Sequence, residues 1–245
     1  MSSTYIPQRA MFIYAHPDDI EFGVAGTAAK WAQNGSDVTY VVLTDGNVGS
    51  HDNGITAEQL TQTRRTEQQA AADIAGAKHC LFMGEHDGLL RPTLKLRKKL
   101  VRLIRQYRPN VVVCGDPTLY FPSDSYINHP DHRAAAQVAL DATFPAAEMG
   151  LLYPELRDEG LAPHKVNHVY ISRSHDPNLY IDISETIEIK LEALRQHKSQ
   201  FGDWDPTERI RNWAAEVGKK VGMAYAEAYR KITLKEDERP TTNDE

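Results

Sequence analysis

Short apolar runs alternate with longer amphipathic stretches along this chain, and their order predicts an architecture. Met11-Phe12-Ile13-Tyr14 reads as a first buried strand, followed by a helix from Gly23 to Gln33 that ends at Asn34-Gly35. Asp37 to Leu43 is apolar, β-branched and bounded by turn residues, which marks a second strand. It gives way to the turn-rich Thr44-Asp45-Gly46-Asn47 and a loop through Gly49, Asp52 and Gly54. Thr56 and Gln59 have capping-box spacing for a helix that runs to about Ala75 and stops at Gly76. Cys80 to Met83 is a third strand. Residues 93 to 107 form a basic helix with Leu96, Leu100, Leu103 and Ile104 on one face, ended by Arg108-Pro109. Val111 to Cys114 is an unbroken apolar run, as in a strand buried on both faces.

The second half is patterned less cleanly. A loop from Gly115 to Asn128 carries Tyr120, Phe121 and Tyr126, which could stack on a ring or simply pack. Pro130 suits the first position of a helix reaching about Ala142. Residues 144 to 165, with Pro145, Pro154, Gly160 and Pro163, read as an insertion or lid that would shape a pocket. Val166 to Ile171 and Leu179 to Ile183 are further strands. Ser184 then caps a helix over Glu185 to Gln200, and a last helix covers roughly 208 to 229. Strands alternating with helices imply a Rossmann-like α/β three-layer sandwich, a mostly parallel sheet with helices on both faces.

The 245 residues suffice for one sizeable core, read here as a single domain over 1–234, with the charged, Pro240-bearing stretch Lys235 to Glu245 as a disordered tail. A hydrophobic share of 41% with 25% charged residues is ordinary for a soluble protein. The net charge of −6 speaks against a nucleic-acid-binding face. No apolar stretch approaches the roughly 18 residues that span a bilayer, and the first nine residues lack the pattern of a signal peptide. The expectation is a cytoplasmic protein with no membrane partner. Two cysteines, Cys80 and Cys114, exclude a disulfide framework and a Cys-rich zinc site, and both read as buried thiols. Gly23 and Gly26 do not complete a dinucleotide fingerprint. Apolar surface on the late helices would suit a homo-oligomer.

The chemistry lies in two clusters. His16-Pro17-Asp18-Asp19 follows the first strand, at the kind of strand end where open α/β sheets bind ligands. Asn128-His129-Pro130-Asp131-His132 stands at a helix start, with His129 as cap residue and His132 on the same side of the first turn. Asp131 between them could orient an imidazole or complement the helix dipole. A catalytic zinc site needs about three His and carboxylate ligands and an open position. His16, His132 and one aspartate of the pair would supply them, leaving the other aspartate as a base and His129 as a second titrating group. Spacing does not settle which aspartate does which.

These two motifs, with Thr44-Asp45-Gly46, Arg64-Arg65-Thr66-Glu67 and Leu194-Arg195-Gln196-His197-Lys198-Ser199-Gln200, resemble the LmbE-like, or PIG-L, family of zinc-dependent N-deacetylases over about residues 10 to 232. Within it, the first strand and loop and Tyr225-Ala226-Glu227-Ala228-Tyr229 are similar to the diacetylchitobiose deacetylases. The resemblance implies one zinc ion per chain on His16, Asp19 and His132, Asp18 as general base, and His129 as acid or electrostatic partner. It implies removal of an N-acetyl group from an N-acetylglucosamine-type small molecule by attack of a zinc-bound water. The alternative is an amidase acting on another small N-acylated metabolite with the same metal site. A metal-free binding protein is disfavoured by the intact set of five residues.

Arg64 is similar in position to an arginine that lines the family's substrate pocket, although an exposed helix could equally carry it as surface charge. Asp45 is a candidate for a sugar hydroxyl or a turn residue, and Tyr126 a candidate for the sugar face. His197 and Gln200 read as structural or rim residues. Two positions depart from the family's pattern. Ile20 stands where an acidic residue is common, with Glu21 next to it, and Ile127 stands where some members carry a tyrosine, with Tyr126 beside it.

Overall fold

Residues 5–50, 54–202 and 204–234 are described by the computed structural model; Asp52 and the tail 235–245 lie outside the described residues. Among the described residues seven strands form one sheet: β1 (Arg9–Tyr14), β2 (Asp37–Thr44), β3 (His79–Glu85), β4 (Val111–Cys114), β5 (His168–Ser172), β6 (Leu179–Asp182) and β7 (Ala226–Thr233), in the order β3-β2-β1-β4-β5-β7-β6. The first five strands in that order pair in parallel, and β7 runs antiparallel between β5 and β6. Alternation of side chains along a strand separates the two cores. Ala10, Phe12 and Tyr14 of β1 join Val111 and Val113 on one face, while Met11 and Ile13 join Val112 and Cys114 on the other.

The first face is covered by α1 (Asp19–Gly23), α2 (Ala25–Gln33), α3 (Ala57–Ala75), α7 (Ile187–Leu194) and α9 (Thr207–Lys219); the second by α4 (Leu94–Tyr107) and α5 (Pro130–Asp141). This is the Rossmann-like three-layer arrangement. Local signals set several ends: the Thr56–Gln59 capping box starts α3, Gly76 at φ 76° stops it, and Pro130 occupies the first turn of α5. Among the described residues no helix is long and apolar enough to cross a membrane.

Four elements differ from the sequence reading. The helix expected over 23–33 begins at Asp19 and breaks at Val24 into α1 and α2. The helix expected over 185–200 is α7, behind Thr186, plus a separate turn α8 (Lys198–Phe201); the Ser184 hydroxyl bonds Asp182 instead of capping. The last helix stops at Lys219, and Ala226–Thr233 is β7, because pairing on both sides overrides the helical preference of an Ala- and Glu-rich segment.

Residues 144–165 do not form a lid. They hold the short helix α6 (Pro154–Asp158) and bury Ala146, Ala147 and Leu156 in the second core. Arg105 of α4 donates to the carbonyls of Ala147, Met149 and Leu152 at 3.1, 2.8 and 3.1 Å. His164 bonds the carbonyl of Pro109, two residues before β4 begins, so the segment is anchored at the edge opposite the strand ends that carry His16.

Candidate active site

The carboxyl end of β1 delivers the first cluster. The Ala15 carbonyl is held by the amide and the hydroxyl of Thr44 at 2.8 and 2.9 Å, which fixes the chain just before His16. Asp18 then takes a left-handed conformation at φ 102°, ψ −27°, and α1 begins at Asp19. A non-glycine residue held there costs on the order of 1–3 kcal/mol, so surrounding contacts must enforce it. Asp19 turns back to accept from the His16 amide at 2.9 Å.

The second cluster is set by the start of α5. Nδ1 of His129 accepts from the Asp131 amide at 3.2 Å, which leaves the proton of a neutral ring on Nε2. Asn128 donates its amide to the Leu119 carbonyl at 2.8 Å, so its oxygen faces Nδ1 of His132 at 3.0 Å. That orientation puts the His132 proton on Nδ1 and leaves Nε2 with a free lone pair, the form in which histidine binds metal.

The two clusters meet. Asp19 presents one oxygen to Nε2 of His132 at 3.0 Å and the other to Nδ1 of His16 at 3.5 Å. Asp19 thus bridges the two imidazoles through different oxygens. The ring of His129 lies 4.8 Å from that of His16. Nε2 of His16 is buried without a hydrogen-bond partner, although Asp87 Oδ1 is 3.0 Å away and Asp131 Oδ2 is 3.4 Å away. Among the described residues, two triads have ligand atoms within 4.8 Å of one another, His16/His129/His132 and the buried His16/Asp87/Asp131, and either group could hold a metal ion. An orphaned imidazole nitrogen, two further imidazoles and three carboxylates are a donor set that fits a divalent cation.

Charge follows proximity. Burial disfavours the imidazolium of His16, but Asp131, Asp19 and Asp87 outweigh it and hold its pKa well above the usual value. Burial likewise raises Asp19, yet His132 and His16 prevail and keep it well below the ordinary range. Asp18 is raised, by burial and by neighbouring Asp19, against the pull of Arg64. Burial, then His16 and His132, lowers His129 and favours its neutral ring.

Arg64 is 3% exposed rather than a surface charge. It donates to Asp18 Oδ2 at 3.0 Å and to the carbonyls of Pro17 at 2.6 Å and Gly46 at 3.1 Å. Asp45 accepts from Arg65 at 3.1 and 2.6 Å, and Tyr126 is 51% exposed on the loop before His129; both stand outside the converging triads. Asp131 does not orient an imidazole of its own cluster; it lies 3.4 Å from Nε2 of His16 in the other, while its oxygens accept from the amides of Gly88 at 2.7 Å and Leu90 at 3.3 Å. Sequence reasoning missed Asp87. Its signal was position: His86-Asp87-Gly88 directly follows β3, at the same edge of the sheet as His16. A cleft beside the cluster is lined by Asp19, Asn128 and His132 with Ala15, Ala135 and Ala136.

The chain is similar to known proteins in sequence and in fold. The family model described as PIG-L, GlcNAc-PI de-N-acetylase, matches residues 11–143. A diacetylchitobiose deacetylase of Thermococcus kodakarensis is 36% identical over 230 residues, 91% of this chain and 82% of the relative. A probable N-acetyl-alpha-D-glucosaminyl L-malate deacetylase of Bacillus anthracis is 28% identical over 206 residues, 79% of this chain and 82% of the relative. Among solved structures, N,N'-diacetylchitobiose deacetylase from Pyrococcus horikoshii, complexed with its inhibitor MPG, has a TM-score of 0.85 at 32% identity, covering 93% of this chain and 84% of that one.

Proposed function

The chain belongs to the PIG-L, or GlcNAc-PI de-N-acetylase, family, and from that premise we propose that it is a zinc-dependent enzyme removing the acetyl group from an N-acetylglucosamine-type substrate. The observation that carries the reading is Asp19 poised between Nδ1 of His16 and Nε2 of His132, with Asp18 adjacent in the chain and its carboxylate held by Arg64 at 3.0 Å. His16, Asp19 and His132 would hold one zinc ion. Bound there, zinc supplies Lewis-acid chemistry, polarising the acyl carbonyl and acidifying water.

The side chains do the rest. Asp18, ionised and steadied by Arg64, takes a proton from water as its oxygen bonds to the acyl carbon. His129 offers Nε2–H to the oxygen that gains charge. The C–N bond then breaks, the amine nitrogen takes the proton that Asp18 received, and acetate and a free amino sugar leave. Asp131 and Asp87 flank the imidazole of His16 on its Nε2 side and supply negative charge there. The proposed setting is a cytoplasmic protein acting on a small molecule. The test is acetate release from N-acetylglucosamine, its β-linked disaccharide, and its malate and inositol conjugates. Cleavage of one or more supports the reading; cleavage only of unrelated N-acyl metabolites would favour a different amidase on the same site.

A further inference from the structure

Two stretches that stand out in the sequence, Arg64 to Glu67 and Leu194 to Gln200, do not touch the proposed zinc ligands, yet their neighbourhood converges on Asp18. Arg64 and Gln68 are one turn apart on α3 and share a face. Arg64 grips the Asp18 carboxylate at 3.0 Å, while Gln68 accepts from the Asp18 backbone amide at 2.9 Å. The amide nitrogen of Gln68 donates to both oxygens of Glu21, at 3.1 and 3.2 Å, and Nε2 of His197 lies 3.1 Å from Glu21 Oε2. Gln68, Glu21 and His197 are all 0% exposed. Glu67, next to Gln68, accepts from the amide and hydroxyl of Ser199 at 2.7 and 2.6 Å, which docks the segment that presents His197.

The polarity of this chain runs one way. A carboxylate only accepts, so His197 and the Gln68 amide nitrogen must both donate to Glu21. The Gln68 oxygen is then left for the Asp18 amide. Flipping Gln68 would set its oxygen against a carboxylate and its hydrogens against a backbone N–H. Apolar side chains would fill this space with no desolvation cost, so a buried polar chain here needs a reason beyond packing. The strained backbone of Asp18 at its end supplies one.

We infer that Gln68, Glu21 and His197 are positioning residues whose hydrogen-bond chain holds the backbone of Asp18 in its left-handed turn and so aims its carboxylate at the reacting water. This rests on the reading of Asp18 as the base. The test compares Gln68→Met and Glu21→Gln in the otherwise unaltered protein and in Asp18→Ala, measuring bound zinc, kcat and KM. The crystal structure of Gln68→Met adds a readout independent of turnover. Gln68→Met should lower kcat by about 10- to 100-fold with KM within about twofold and zinc content unchanged. In the Asp18→Ala background either substitution should change the residual rate by less than about twofold. The crystal structure should show Asp18 outside the left-handed region. An unchanged kcat, a loss that multiplies fully onto that of Asp18→Ala, or an unmoved Asp18 backbone would each overturn the inference. If Gln68→Met does not fold, Glu21→Gln keeps the shape of the chain and carries the same cycle, with a kcat loss of about 3- to 10-fold expected. Full activity in Asp18→Ala would instead remove the base assignment itself.

Discussion

Asp18 and Asp19 are neighbours with the same side chain and opposite environments. Asp19 faces two imidazoles and stays ionised, while Asp18 is buried against Arg64 with a raised pKa. Asp18→Ala should therefore keep zinc and lose roughly 10²-fold or more in kcat, whereas His132→Ala should lose zinc on dialysis; metal analysis beside turnover separates the two. His197 gives a pH-dependent stability. Burial opposes its charge, but the Glu21 carboxylate outweighs burial and raises its pKa. The pair's contribution should be fully present below the unfolded value of about 6.5 and fade as pH rises through the higher folded value. The stability gap between the parent and His197→Gln, measured by urea unfolding at constant zinc, should shrink from pH 6 towards pH 9; a constant gap would mean the ring is uncharged. The His16 and His132 clusters were legible because residue type and spacing announce them. Asp87 and Gln68 were not, because only folding brings them to His16 and to Asp18.

At the scale of elements, runs with strong local signals came through: β1, β2, β4, and α3 with its cap and stop all fall where pattern and turn chemistry put them. The failures are segments whose state is decided by distant partners. Ala226–Thr233 carries helix-favouring alanines, but β5 and β6 pair with it from both sides. Gly218 in α9 makes this return possible: a Cβ there would sit 2.5 Å from the Met223 carbonyl oxygen. Glycine is normally a poor helix residue, so Gly218→Ala tests whether close approach or propensity wins. Overpacking should prevail and destabilise by about 1–3 kcal/mol in urea unfolding; stabilisation would show that the chain can give way. Residues 144–165 misled because prolines mark loops without saying which end of a sheet they cover.

Across the whole molecule, the proposed zinc ligands come from elements far apart in sequence, and the sheet is the frame that fixes them. One buried ion pair ties that frame together. Lys190 of α7 bonds Glu227 of β7 at 2.6 Å and the carbonyl of Gly23 at 2.9 Å, at the end of the helix that carries Asp19. Glu227 also accepts from the amides of Gly26 and Thr27 at 3.1 and 2.8 Å. Lys190→Met strands a buried carboxylate and should cost about 3–5 kcal/mol, read as a lowered urea midpoint with unchanged slope; a loss under about 1 kcal/mol would mean that Glu227 is satisfied by its other donors. Zinc-dependent deacetylation is measured as acetate release from N-acetylglucosamine and its disaccharide by the protein as purified, after chelation, and after zinc is restored. Acetate and free amine should appear in equal amounts, be lost on chelation and return with one zinc per chain. Protein carrying one zinc per chain that releases no acetate from either sugar or from the malate and inositol conjugates would contradict it.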